Sequence, residues 1–186
     1  MSRFTIHRTP MVGLYELVRQ PLGDERGFLE RLFCQETLDP LLSGKAIRQI
    51  NRTLTRKEGT VRGLHFQYPP HAETKIVTCL KGTVWDVAVD VRQGSPTFLQ
   101  HHALVLSEDN ARSFLIPEGF AHGFQTLTPG CEMLYFHTAD YQAKAEGALN
   151  ALDPRLAIDW PQPITERSAR DQEHPMLTED FLGIDL

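Results

Sequence analysis

The sequence predicts an all-β fold, a sandwich or barrel with a few short helices at its edges. Three observations point there. Trp85, Val87, Val89 and Val91 alternate with Asp86, Ala88 and Asp90, the period of a strand. Turn signals recur at short intervals: Pro69-Pro70, Lys81-Gly82, Gly94-Ser95-Pro96, Glu118-Gly119 and Pro129-Gly130. Helical periodicity is scarce. Short strands at this spacing pair antiparallel into sandwiches and barrels.

Taken in chain order, Gln35 to Leu42 fits a short helix that Pro40 breaks or caps. The strand-rich core runs over about residues 46 to 138. Within it, Thr74 to Leu80 and Cys131 to His137 read as strands. Asp140 to Ser168 reads as irregular, with loops at Asp153-Pro154 and Trp160-Pro161 and a helical turn near Glu166 to Asp171. No internal repeat or low-complexity linker divides the chain, so residues 1–186 are expected to form a single domain. A chain of this length buries roughly 70% of its unfolded surface and needs no disulfide.

Composition narrows the partners and the compartment. Net charge is -5 with no long basic run, so no nucleic-acid partner is expected. The three cysteines, Cys34, Cys79 and Cys131, are an odd number without close pairing and read as reduced thiols. The N-terminus lacks the apolar segment of a signal peptide, and no apolar run approaches the roughly 18 residues of a membrane span. The expectation is a cytoplasmic protein.

Histidine titrates near neutral pH and is the first place to look for chemistry. His65 sits in Arg62-Gly63-Leu64-His65-Phe66-Gln67, and Lys75 opens the next apolar strand. A hairpin would bring the two side chains together, a base beside a cation that removes a proton and steadies the resulting oxyanion. Spacing alone favours the plainer reading, a hydrogen-bonded strand histidine and a solvated lysine. His122, flanked by Gly119 and Gly123, marks either a tight turn near something bound or a buried structural histidine. Tyr135 shares a strand face with Cys131, Met133 and His137 and reads first as core. Arg26 and Glu30 lie in a charged turn, and Arg170-Asp171 reads first as solvated charge. No His-x-His pair occurs, and the adjacent His101 and His102 point to opposite strand faces, so no catalytic metal is expected. Dinucleotide, phosphate-loop and nucleophile-elbow signatures are absent from the sequence.

Several ordered motifs together resemble one known family. They are Asp24-Glu25-Arg26-Gly27-Phe28, Gln49-Ile50-Asn51, Val61 to Gln67, Lys75, Asp86 to Arg92, Gly94-Ser95-Pro96-Thr97, Ile116 to Phe124, Leu134-Tyr135, Asp153-Pro154 and Trp160-Pro161. Across roughly residues 10 to 175 the chain resembles the dTDP-4-dehydrorhamnose 3,5-epimerases, cupin-type jelly rolls that act as homodimers on nucleotide-linked keto-sugars. The resemblance implies roles. His65 is the general base that removes the proton next to the 4-keto group. Asp171 orients it, Tyr135 returns a proton on the opposite face, and Lys75 stands near the enolate oxygen. Arg26, Glu30, Gln49, Asn51, Arg62, His122, Glu146 and Arg170 match substrate contacts, and Tyr141 a stacking position. No cofactor is implied.

The same resemblance exposes departures. The run after Arg26 is one residue shorter than usual, and the loop from Asn51 to Gly59 is longer by about one. Phe136 and Arg170 stand where lysine is common, and no tryptophan precedes Asp153-Pro154. These changes surround the sugar pocket; they keep the reaction class and leave open inversion at C3 or C5 alone or a CDP- or GDP-linked substrate. The alternative of another class, a sugar-binding jelly roll without activity, is opposed by the presence of His65, Lys75, Tyr135 and Asp171 together. One geometric condition follows. Strict alternation puts Arg62 and His65 on opposite faces, so both reach one ligand only if Gly63 marks a bulge or the strand ends there.

Overall fold

Proline and glycine punctuation cuts the chain into short strands, and their pairing is antiparallel throughout. The computed structural model describes residues 3–186. In chain order the strands are β1 (Phe4–Arg8), β2 (Tyr15–Arg19), β3 (Leu22–Asp24), β4 (Gly27–Leu29), β5 (Gln49–Thr55), β6 (Val61–Gln67) and β7 (Lys75–Lys81). They continue as β8 (Thr83–Asp90), β9 (His101–Ser107), β10 (Arg112–Ile116), β11 (Phe120–Thr126), β12 (Cys131–His137) and β13 (Glu146–Ala148). Two short helices accompany them, α1 (Gln35–Leu42) and α2 (Ala169–Glu173). A six-stranded sheet runs β1-β2-β10-β7-β12-β5, and a five-stranded sheet runs β13-β6-β11-β8-β9. The two pack as a cupin-type jelly roll, with β3 and β4 a separate hairpin. The sandwich recruits β1, β2 and β13 from outside residues 46–138, so the expected core range is too narrow.

Three apolar layers hold the sheets. Between them, Val77, Phe114 and Met133 of one sheet meet Val84, Ala88, Phe120 and Phe124 of the other. Outside the five-stranded sheet, Val87, Val89 and Val91 pack under Leu149, Leu156, Trp160 and Ile184 from the C-terminal segment. Outside the six-stranded sheet, Ile76, Leu115 and Phe136 pack under Leu38 and Leu42 of α1. The middle of each sheet is thus covered on both faces, and β8 is buried along nearly its whole length. Burying each large apolar side chain contributes roughly 1.5–3 kcal/mol.

Pro40 sits inside α1 and does not end it. The carbonyl that loses its partner belongs to Glu36, which is exposed and can bond water, while Leu38 and Leu42 anchor the helix to the sheet. The helix stops at Ser43, which adopts the left-handed conformation with φ 54°.

A second correction matters for function. His65 and Lys75 do not face each other as hairpin partners. β6 pairs with β11 and β13, whereas β7 pairs with β10 and β12. The Pro69-Pro70 turn carries the chain from one sheet to the other, so the two residues meet across the gap of the sandwich.

Candidate active site

A cavity of about 770 Å³ opens between the sheets. His65, Arg62 and His122 line it from the five-stranded sheet, and Gln49, Asn51, Lys75 and Tyr135 from the six-stranded one. Tyr141, Glu146, Arg170 and Asp171 complete the lining. Such a volume is ordinary for a small-molecule site.

Gly63 is what brings Arg62 and His65 to one face. The register of β6 against β11 jumps between His122↔His65 and Phe124↔Arg62, a bulge. Gly63 has φ +121°, and a Cβ there would lie 2.6 Å from the Gly123 Cα. Only glycine fits so close an approach at that angle.

The histidine is held from behind. His65 Nε2 lies 2.8 Å from Asp171 Oδ1, and the Gly63 amide donates to Asp171 Oδ2 at 3.4 Å. Asp171 stands in the first turn of α2, whose start is fixed by Ser168 Oγ accepting from the Asp171 amide at 3.0 Å. Burial raises the Asp171 carboxyl, but His65, Gly63 and Ser168 together hold it below the usual carboxylate range. A histidine anchored to an ionised carboxylate through one nitrogen presents the other as a base.

A second pair lies beside the first. His122 is the cross-strand neighbour of His65, and its Nε2 sits 2.9 and 3.0 Å from the two oxygens of Asp86 on β8. Burial pushes the Asp86 carboxyl up, against the pull of His122 and Lys75. On the opposite sheet, Lys75 donates to the His65 carbonyl at 3.1 Å and pairs with Glu73 at 3.1 Å. Glu73 also meets His137 Nδ1 at 2.9 Å, and the His137 ring stacks on Tyr135 with 6.1 Å between centroids. Tyr135 is only partly covered in the cavity wall, yet the protein surrounding it pushes its phenol far above the ordinary range. It therefore stays protonated at neutral pH, a proton donor.

At the rim, the Tyr141 hydroxyl donates to Glu146 at 2.8 Å, and Arg170 pairs with the same carboxylate. The Gln49 side chain accepts from the Tyr141 amide at 3.1 Å. Arg56, Lys57 and Arg167 also line the cavity and bring positive charge to it. Arg62 donates to Thr55 at 3.0 Å.

Two expected contacts lie elsewhere in the chain. Arg26 pairs with Asp24 on the exposed β3–β4 hairpin, and its side chain is 88% exposed. Glu30 meets Arg19 Nε at 2.7 Å, because a buried guanidinium needs a counter-charge. Neither lines the cavity. Asp86, Glu73 and His137 were not singled out from the sequence. For Asp86 a signal was present: an acid repeated on a strand whose other face is wholly apolar.

The model of the dTDP-4-dehydrorhamnose 3,5-epimerase family matches residues 8–179. The chain belongs to the dTDP-4-dehydrorhamnose 3,5-epimerase family. It is 41% identical over 169 residues to the dTDP-4-dehydrorhamnose 3,5-epimerase of Salmonella typhimurium, covering 89% of this chain and 92% of that one. A Streptomyces niveus dTDP-4-dehydrorhamnose 3-epimerase is 33% identical over 168 residues, 90% of this chain and 81% of its own. Among solved structures, the Legionella pneumophila dTDP-6-deoxy-D-glucose-3,5-epimerase in complex with dTDP-4-keto-L-rhamnose superposes with a TM-score of 0.90 at 36% identity. That match covers 98% of both chains.

Proposed function

We propose that this chain inverts C3 and C5 of a dTDP-4-keto-6-deoxyhexose through an enolate, without a redox cofactor. The observation that carries the reading is the pairing across the gap. A carboxylate-held histidine stands in one sheet and a protonated tyrosine in the other. Inversion needs a proton removed from one face of the ring and another delivered to the opposite face. His65 takes the α proton, Asp171 holds its ring and balances the charge, and Tyr135 delivers the new proton. Base and acid contribute roughly 10²–10⁴-fold each. Lys75 supplies an N–H donor for the enolate oxygen, worth roughly 10²–10³-fold, and His122 contacts the substrate beside it. Arg62, Arg170 and the neighbouring cations suit the diphosphate, whose oxygens an arginine fork binds in pairs. Gln49, Asn51, Glu146 and Tyr141 frame the sugar and base.

Incubating the protein with dTDP-4-keto-6-deoxyglucose in deuterated water tests this. NMR should show deuterium entering C3 and C5, and His65→Ala should abolish it; unchanged exchange in that variant rejects the base. Tyr135→Phe should keep exchange and impair completed inversion. The Streptomyces niveus relative, named as a 3-epimerase, motivates a second reading, inversion at C3 alone. The same spectra decide it by whether C5 is labelled, and a panel of CDP- and GDP-linked sugars decides the nucleotide.

We also propose a single-domain protein working in the cytoplasm as a homodimer. Phe28 is 73% and Leu29 69% exposed on the β3–β4 hairpin, apolar surface beside an Arg26 that does not line the cavity between the sheets. A two-fold partner gives the hairpin something to cover and lets Arg26 approach the partner's site. Light scattering should give the mass of two chains; the mass of one rejects the dimer. No helix among the described residues is long and apolar enough to cross a membrane.

A further inference from the structure

His174 takes no part in the proposed reaction, yet it stands beside the dyad. It follows the last residue of α2, and its backbone carbonyl accepts from Asn150 Nδ2 at 2.7 Å. Its Nε2 is buried and has no hydrogen-bond partner among the described residues. Buried imidazole nitrogens are rarely left so. One donor atom from each of His65, Asp171 and His174 lies within 4.8 Å of the others. Two imidazoles and a carboxylate form a donor set typical of zinc and its neighbours. Tetrahedral bonds of about 2.1 Å place donors about 3.4 Å apart. His65 and Asp171, at 2.8 Å, need to open slightly. The widest pair, at most 4.8 Å apart, closes by about 1.4 Å through side-chain rotation. Sequence spacing hid this group, because it contains no His-x-His and its first member lies far from the other two.

We propose that His65, Asp171 and His174 capture a divalent cation of the zinc class, which silences His65. The silencing rests on His65 being the base. In the resting dyad, Nε2 carries the proton and donates it to Asp171, leaving the lone pair on Nδ1. A cation bound through Nε2 takes that nitrogen's electron pair, and the displaced proton moves to Nδ1. The ring then has a donor where it had an acceptor, and it cannot remove the α proton. The cation also occupies the Asp171 oxygen that oriented the ring. No electron is transferred and no substrate bond changes, so chelation restores activity.

Cobalt(II) reports such a site in the visible range. The purified full-length protein should bind one equivalent with the intense d–d bands of a four-coordinate ion. Turnover should fall in step with occupancy and return on adding a chelator. His174→Gln should keep metal-free turnover and the wild-type melting temperature, bind cobalt roughly tenfold or more weakly, and resist inhibition. His65→Asn should also lose the bands. Unaltered cobalt affinity in His174→Gln overturns the site, as does the absence of bands in the wild type. Bound cobalt that leaves turnover intact overturns the silencing. Cobalt bands in a protein that never labels the keto-sugar would support the cation site and count against the epimerase reading.

Discussion

At the scale of single residues, Asp171 bears on the site in two ways. It accepts from His65 and from the Gly63 amide, so it fixes both the ring and the bulge that presents it. Asp171→Asn keeps the shape and loses the charge, and its amide nitrogen can hold the histidine in the wrong tautomer. Deuterium exchange should slow by about 10²–10⁴-fold. Glu30 has a different part. Removing its carboxylate leaves the buried Arg19 without its counter-charge, so Glu30→Ala should cost about 2 kcal/mol in urea unfolding. The cysteines also separate. Burial pushes the Cys79 thiol up to about 12, whereas a hydrogen bond with Thr37 draws the Cys34 thiol down. Mass spectrometry after brief treatment with a thiol reagent at neutral pH should find Cys34 modified and Cys79 untouched. His65, Tyr135 and Asp171 were legible in the sequence only through their shared family pattern. Spacing alone left His65 and Lys75 more plausibly structural, because the contact that unites them crosses between sheets. Glu73 and His137 stayed hidden because their contact joins β12 to the segment entering β7, its neighbour in one sheet but far away in the sequence.

At the scale of elements, the β6 bulge and the α2 cap decide whether the site assembles. Gly63→Ala forces a Cβ to 2.6 Å from Gly123 at a positive φ. It should destabilise the protein by at least about 2 kcal/mol and depress exchange, because Arg62 and His65 lose their common face. Ser168→Ala removes the cap beneath Asp171 and should cost about 1 kcal/mol, read as a lower melting temperature. The need for a distortion at Gly63 follows from the sequence, since alternation cannot otherwise put Arg62 and His65 on one ligand. β12 and α1 match the expected spans residue for residue, and β7 is displaced by one. The short outer strands were not legible. β1 and β13 have too few residues for periodicity to register, and tertiary pairing alone makes them strands. The alternation in β8 located the strand without saying which face meets the substrate. Its acidic face looks into the sandwich and its valine face lies under the C-terminal segment, since both are buried.

At the scale of the whole molecule, acid should unfold the protein before base does. Asp171, Asp90, Glu73 and Glu146 are all held below the ordinary carboxylate range, in each case by partners that outweigh burial. A depressed folded-state pKa lends stability above the unfolded value of about 4, and that stability drains away as pH falls through the folded value. Asp86 runs the other way, since its raised carboxyl takes a proton first and is relieved by it. Melting temperature should therefore hold from pH 7 to about 5 and drop below about 4; a flat profile down to pH 3 contradicts the assignment. The crossing at Pro69-Pro70 carries a further consequence. Because His65 and Lys75 belong to different sheets, neither sheet alone contains a working set of groups. Turnover is thus a clock for the docking of the two halves. During refolding from urea, the circular-dichroism signal of strands should recover first. Catalysis should return only when the halves close on each other, so the lag between the two times the final closure of the sandwich.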